Sequence, residues 1–557
     1  PDDYFIFLEN GKRLYGDDTY ARINVAKIKR IEILNGASSA LYGTNAIGGV
    51  INIITDDVKN AINVSSDTRY ASKGRFTQSV NIDVNTGKFG SYTSYRRQQA
   101  EGWQLNPYEE NSKTHELEET GKVASTGFYA NTVNQKFTFD ATDKLSFYAR
   151  GGYYDNKTRR PYEAYDYNIL HETFNYGIGA QYMINKGNYI TADCYADHFS
   201  SSYCFFKDNK TYNGKAGEEQ VRKRTRNHNL SIKGIFKLGN RHKLSVGTEY
   251  IVDVLKSQTD NIAKEDAYTL ALFAQDEIKL LRNLQALIGV RYIYHENFKN
   301  HATPNVALMY KPGKFNFRAS YAAGFRTPTL SELYATDIAK KNDRLTIGNL
   351  DLKPEKNNYF SLSAEYVHER FSVSVNAFYN NIRDMIDYNT IATGDKAMEQ
   401  YGHKEVRQRD NIAEAKVHGI NVSANAYLGA GFNLSGGYTH LNTQDVELEQ
   451  PIDKSIKNAY NINAQWAHSW KIYRLNINLN GRFNSKRFSK SYGYAPEYQL
   501  WDLNTRHSFN LKSVIIEPGC GMENLFDYMD DRPYNSNYAT LTPGRSFYIS
   551  LSLKFKS

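Results

Sequence analysis

The residue types that most often do chemistry are present in this 557-residue chain, but not in catalytic arrangements. His171-Glu172 lacks a second histidine at the spacing of a helix-borne zinc site, and there is neither a Gly-x-Ser-x-Gly elbow nor a phosphate-cradling glycine loop. His295, His418 and His440 stand alone and read as structural or exposed groups. The three cysteines, Cys194, Cys204 and Cys520, fit neither a dense disulfide scaffold nor a thiolate zinc site. Cys194 and Cys204 are equidistant from Phe199. A hairpin turning there would set them face to face for a disulfide, whereas one long strand through Tyr203 would hold them apart; Cys520 has no partner in either case. The expectation is a protein that is not an enzyme, with no catalytic residue and no cofactor.

What must position the remaining side chains is set by composition. Lys and Arg number 69 against 60 Asp and Glu, a net charge of +9 that is small for the length and makes no case for nucleic acid. Aromatic residues are 14% of the chain, Pro only 12 residues, and the mean hydropathy is −0.63. So many rings must be buried or anchored, which excludes disorder. No run approaches the ~18 apolar residues of a membrane helix. The first residues, Pro1-Asp2-Asp3-Tyr4, have neither the basic nor the apolar region of a secretory signal.

From residue 59 to 557 the dominant signal is alternation with a period of two. Tyr473, Leu475, Ile477, Leu479 and Phe483 take one side of a segment whose other side is Arg474, Asn476, Asn478, Asn480 and Arg482. Phe547, Ile549, Leu551, Leu553 and Phe555 repeat the pattern at the end of the chain. A soluble sandwich also alternates, but such sandwiches usually stop near ~250 residues and rarely place Arg, Lys and Asn in mid-strand. An apolar band facing lipid, aromatic girdles and a polar lumen fit better. Only a closed barrel satisfies every strand hydrogen bond in lipid without helices. Tight turns at Asp140–Lys144 and Lys311–Lys314 contrast with long charged connections at Gln104–Ala124, Asp208–Thr225 and Asp384–Asp410. The fold expected is an all-β transmembrane barrel of roughly 22 antiparallel strands.

Residues 1–58 differ. Tyr4–Leu8 and Ile31–Leu34 read as short strands, Ser38–Tyr42 as a helical turn, and Gly48–Thr55 as a glycine-led buried strand. Arg30 and Glu32 alternate with Ile31 and Ile33, which places both charges on one face. Arg30-Ile-Glu-Ile-Leu-Asn-Gly36, Ser39-Ala-Leu-Tyr-Gly43 and Ala46-Ile-Gly48-Gly49-Val-Ile-Asn-Ile-Ile-Thr55 resemble the second half of the plug domain of TonB-dependent outer-membrane receptors. Phe325-Arg326-Thr-Pro328, Glu332-Leu-Tyr334, Asn349-Leu-Asp-Leu352 and Glu355 are similar to mid-barrel boxes of the same receptors, and Asn524-Leu-Phe526 and Pro543-Gly-Arg-Ser-Phe547 extend the likeness to the last strand. Asn35, Ala37 and Leu350 depart from the usual Arg, Pro and Pro.

The resemblance implies a small α/β plug (second half only, residues 1–58) in the lumen of a barrel (residues 59–557) in the outer membrane of a Gram-negative bacterium. It implies active, proton-motive-force-coupled import of a ferric siderophore, cobalamin or haem, with the TonB complex, outer-membrane lipid and a surface lipoprotein as partners. The energy-coupling box and the first plug half are absent from this sequence, so the fragment alone is expected to insert but not to drive uptake. A passive porin or a surface-binding barrel is the alternative. Gly36, Gly43, Gly48 and Gly49 are expected at tight turns or close approaches to the wall. Arg30 is expected either to lock onto Glu277 or Glu355 or to pair locally. Tyr15, Asp17, Asp18 and Tyr20 would form an apical substrate-binding loop, or a plain polar turn. Haem receptors of this type carry a histidine between the two boxes; Thr329–Gly348 contains Tyr334 and no histidine, so a ferric chelate or cobalamin ranks above haem.

Overall fold

The computed structural model describes residues 5–14, 21–25, 28–35, 48–55, 61–104, 108–111, 113–120, 123, 125–339, 343–490, 493–530 and 542–556. Two bodies emerge from the two sequence patterns. Phe5–Glu9 (β1), Lys12–Arg13 (β2), Ile28–Asn35 (β3) and Gly49–Thr55 (β4) form a sheet of order β2-β1-β4-β3. Asn10 and Gly11 both have positive φ, 51° and 77°, which is the two-residue turn that matches strand twist and joins β1 to β2. β1 and β4 run parallel in register Phe5↔Gly49, and β3 closes antiparallel on β4. Their apolar residues fill both faces: Ile6, Leu8 and Val50 on one side, Leu14, Ile23 and Ile53 on the other. Gly49 has φ 143°, and a Cβ there would lie 2.5 Å from the Leu34 carbonyl oxygen. The close approach that needs glycine is therefore to β3 within this sheet, not to the barrel wall.

The rest of the chain closes into an antiparallel barrel of 22 strands. The last strand, Ser546–Lys556, pairs with the first, Ile62–Ala71, so no edge is left open. Along Arg75–Asn85 the alternation is direct: Ser79, Asn81 and Asp83 are buried inward and Ile82 is exposed outward. Outward rings form girdles, Tyr250–Tyr268–Tyr294 at 5.9 and 6.1 Å and Tyr438–Tyr460–Phe483 at 4.6 and 5.7 Å, with Trp470 stacked on Tyr473 beside a short turn at the other rim.

Two expectations need correction. Asp384–Asp410 is not a loop: Phe371–Thr393 and Glu405–Gly429 continue as paired strands of 23 and 25 residues, and only the helix Gly394–Tyr401 connects them. Their polar ends leave the apolar band, so the alternation that marks a strand in lipid is lost although the ladder persists. Likewise Asp208–Thr225 is loop only until Glu219, where a strand begins. Cys194 and Cys204 lie on one strand, Asn188–Phe205, and all three cysteines are free; ten residues of extended chain separate the pair by ~33 Å.

Candidate functional site

The N-terminal sheet sits against the inward face of the wall through buried polar contacts. Arg22, just before β3, donates from Nη1 to both Asp197 oxygens at 3.0 and 3.1 Å, with the two side chains 5% and 0% exposed. Asn24 donates to Asn81 at 2.9 Å, and Arg96 donates to the Ile23 carbonyl. Arg150 lies 3.6 Å from Glu9 and stands 4.4 Å over the Tyr195 ring. These groups all fall on six neighbouring strands, from Arg75–Asn85 to Asn188–Phe205, so these contacts hold the sheet against one arc of the wall.

Arg30 is not the lock. It donates to Glu32 at 2.8 Å on the exposed side of β3, and Asn52 donates to the other Glu32 oxygen at 2.9 Å. The proposed partners are occupied elsewhere, Glu277 by Lys243 at 2.8 Å and Glu355 by Arg326 at 2.5 Å. β3 is the edge strand, so its alternate face meets solvent and the local pair forms instead. Gly48 leads into β4 and Gly49 opens it. Gly36, Gly43, Tyr15, Asp17, Asp18 and Tyr20 lie outside the described residues.

The mid-barrel boxes converge on one buried node at the long-loop end. Arg326 reaches Glu332 through Nη1 and Nη2 at 2.9 and 3.1 Å and Glu355 at 2.5 Å, and Glu355 also accepts from the Ile386 amide at 2.9 Å. Thr329 and Glu332 cap each other across the short helix Leu330–Tyr334 (α1), a reciprocal box that satisfies its first amides. Pro328 is buried beside them, and Leu333, Leu352 and Ile386 pack together against Phe298 and Tyr334. Phe325 packs on Ala271 and Ile293. Asn349 donates its amide to the Glu332 carbonyl at 3.1 Å, and Gly348 fits where a Cβ would meet the Leu333 carbonyl oxygen at 2.5 Å. Glu332 stays below the usual glutamate range: burial, the largest single effect, pushes it up, but the Arg326 hydrogen bonds and charge overcome that, with Thr329 adding. The boxes are thus a rivet for the loop between Arg326 and Glu355. Tyr334 is held above the ordinary phenol value by burial first, then by the Glu265 and Glu296 carboxylates.

A different group faces the mouth. Alternation carries Phe199, Ser201, Tyr203 and Phe205 onto the same inward face as Asp197. Tyr203 stacks on Tyr167 of the neighbouring strand at 4.1 Å. Arg160 lies 5.1 Å from the Tyr167 ring and Arg222 5.2 Å from the Tyr203 ring, so two guanidinium groups flank a stacked tyrosine pair. Tyr212 meets both rings edge-on, at 5.7 and 5.1 Å, and burial first, then Tyr167, holds its hydroxyl in the neutral, donating form. Among the described residues no carboxylate pairs with Arg160 or Arg222, and the buried Nε of each has no hydrogen-bond partner. A cationic, ring-lined surface of this kind fits an anionic, aromatic ligand. Sequence reading missed it because positions 160, 167, 203, 212 and 222 meet only once the strands are paired and the turn carrying Tyr212 folds beside them; the one local sign was the Tyr203/Phe205 alternation beside a basic segment.

Comparison with known proteins agrees with this architecture. The family described as "TonB dependent receptor-like, beta-barrel" matches residues 59–519, and the "TonB-dependent Receptor Plug Domain" matches residues 2–50. A double mutant of the ferric enterobactin receptor PfeA from Pseudomonas aeruginosa is similar with a TM-score of 0.83 at 16% identity, over 99% of this chain and 91% of that one. The siderophore receptor PirA from Acinetobacter baumannii gives 0.80 at 16% identity over 100% and 91%, and the FrpB iron transporter from Neisseria meningitidis 0.77 at 15% over 99% and 92%. The chain belongs to the TonB-dependent receptors, outer-membrane β-barrel proteins of Gram-negative bacteria with a plug domain at the N-terminal end.

Proposed function

We propose that this receptor binds an anionic ferric siderophore, most suitably one with aryl iron-binding groups, and imports it in steps energised through TonB. The observation that carries the reading is the Arg160–Tyr167–Tyr203–Arg222 row at the extracellular mouth. A ferric complex of three catecholates bears negative charge on a surface of aromatic edges and faces, which guanidinium groups and stacked phenols complement. Solved structures of similar fold include a ferric enterobactin receptor, which supports the same chemical class. The locked sheet in the lumen favours a gated receptor over a passive pore, since it stands in the path that a pore keeps open. No step in this function needs a catalytic group.

Haem ranks lower. The interval between the boxes offers Tyr334, whose phenol packs in the Leu333–Leu352–Ile386 cluster beside two carboxylates that disfavour a tyrosinate ligand. Cobalamin lacks the negative charge that two uncompensated guanidinium groups call for. The division of the chain near residue 58, the apical role of Tyr15, Asp17, Asp18 and Tyr20, and a surface lipoprotein partner belong to this proposal as well. Fluorescence titration of the receptor with a ferric tris-catecholate and with cyanocobalamin tests it. Saturable binding of the catecholate that weakens roughly tenfold or more in Arg160→Gln/Arg222→Gln is expected, a loss of about 1.4 kcal/mol or more. Tighter binding of cobalamin, or an unchanged affinity in the variant, contradicts the reading.

A further inference from the structure

The outer wall carries a charge pattern that the lipid-facing role of a barrel does not explain. On the strands Glu219–Leu238 and His242–Ser257, the outward side runs upward through Ile232 and Leu230, 46% and 50% exposed, and then through His228, Arg226 and Arg224, all exposed. Arg224 sits directly opposite Lys256 in the ladder, and Lys256 is exposed too. Like charges facing each other across neighbouring strands repel at short range. Among the described residues no carboxylate lies within ion-pair distance of Arg224, Arg226 or Lys256. Of the carboxylates on that face, Glu172 is level with Arg224 but two strands off and accepts from the Tyr153 hydroxyl at 2.8 Å, Asp266 on the strand next to Lys256 pairs with Lys264 at 3.4 Å, and Glu219 stands higher, opposite Cys204 where Arg224 is opposite Ser200.

Height decides what anion can reach them. His228 is level with Val252 and Tyr268, a member of the Tyr250–Tyr268–Tyr294 girdle that marks the upper edge of the apolar band. Arg226 and Arg224 follow two and four residues higher, ~7 and ~13 Å along the strand. That is the depth of the outer-leaflet head groups, above the acyl chains and below the loops.

We propose that Arg224, Arg226 and Lys256 form a binding site for the phosphate groups of a phosphorylated outer-leaflet glycolipid, whose acyl chains lie along Leu230, Ile232 and Tyr250. Arg supplies bidentate contacts to phosphate and Lys a point charge, and one phosphate set between Arg224 and Lys256 removes their repulsion. The site is on the outside of the wall, separate from the Arg160–Arg222 mouth, and does not depend on which chelate is carried.

The test is native mass spectrometry of the full chain released from detergent, offered diphosphorylated lipid A, dephosphorylated lipid A, a zwitterionic phospholipid and inorganic phosphate. Retention of the diphosphorylated lipid at concentrations at least tenfold lower than its dephosphorylated form is expected, with that preference lost in Arg224→Gln/Arg226→Gln/Lys256→Gln. Heat-modifiable migration on a gel verifies that the variant is folded. Equal retention of the two lipid A forms overturns the proposal with no variant needed. A preference that survives in a folded triple variant overturns the residue assignment, and inorganic phosphate competing as well as the lipid overturns the lipid as its source.

Discussion

Asp197→Asn separates the plug lock from every other feature of the wall. In the wild type, Arg22 Nη1 bridges both Asp197 oxygens, with side chains 5% and 0% exposed, at a contact between plug and barrel and 175 residues apart in sequence. Removing the charge takes this carboxylate away from a buried guanidinium, and losing one partner of a buried pair costs ~3–5 kcal/mol. Asparagine keeps one oxygen acceptor, so the lower end, about 3 kcal/mol, is the fair figure, equivalent to roughly 150-fold in the opening equilibrium. Hydrogen exchange of the β1 and β4 amides, around Ile6, Leu8 and Val50, reads that opening directly. Protection there is expected to fall by up to this factor while the barrel ladders exchange as before. Replacing both partners with apolar residues, Arg22→Met with Asp197→Leu, is expected to recover most of the protection, because the cost lies in burying the arginine charge without this carboxylate and not in the volume. A change below about threefold in Asp197→Asn, or a double variant as exposed as the single one, refutes the assignment of this pair as the lock.

The remaining predictions concern the other load paths. Glu332, held below its usual value, stabilises the Arg326 node above the unfolded glutamate pKa, and that contribution is lost as pH falls through the folded value. The protection factors of the Leu330–Tyr334 amides, corrected for the intrinsic pH dependence of exchange, are therefore expected to fall below about pH 4.5 and to stay flat between pH 6 and 8, whereas a loss of protection already beginning as pH drops to 6 contradicts the node. Gly49→Ala places a Cβ 2.5 Å from the Leu34 carbonyl oxygen at φ 143°, so proteolysis of the plug is expected to quicken without unfolding the barrel, a cost of more than ~1 kcal/mol. Alkylation of denatured, non-reduced protein is expected to add three labels, one each at Cys194, Cys204 and Cys520; a Cys194–Cys204 disulfide contradicts the single strand.

The barrel was legible because lipid forces strict alternation: Leu475, Ile477 and Leu479 have no other place to go while Asn476, Asn478 and Asn480 face the lumen. Beyond the apolar band that pressure ends, which is why the upper halves of Phe371–Thr393 and Glu405–Gly429 looked like loop. The plug strands were legible from their glycines and their Ile and Val runs, and their partners in the wall were not. Arg30 carries the motif yet pairs with Glu32, while the buried lock joins Arg22 to an acid in the middle of Tyr195-Ala-Asp-His-Phe199, which reads like any lumenal polar position. The boxes around Arg326, Glu332 and Glu355 were visible as motifs, and their role as a loop rivet follows only from the geometry of three charges meeting within 3.1 Å. The mouth was the least legible part, since each tyrosine and arginine in it reads as one more aromatic or basic residue until the strands are set side by side.

The most direct measurement of the central claim is accumulation of radioactive iron, supplied as a ferric tris-catecholate, by cells whose only outer-membrane receptor for it is this one. Saturable uptake is expected, abolished by deleting TonB or collapsing the proton-motive force and sharply reduced by Arg160→Gln/Arg222→Gln. Uptake that is linear in concentration and indifferent to TonB, or no uptake of the anionic chelate at any concentration, contradicts the account.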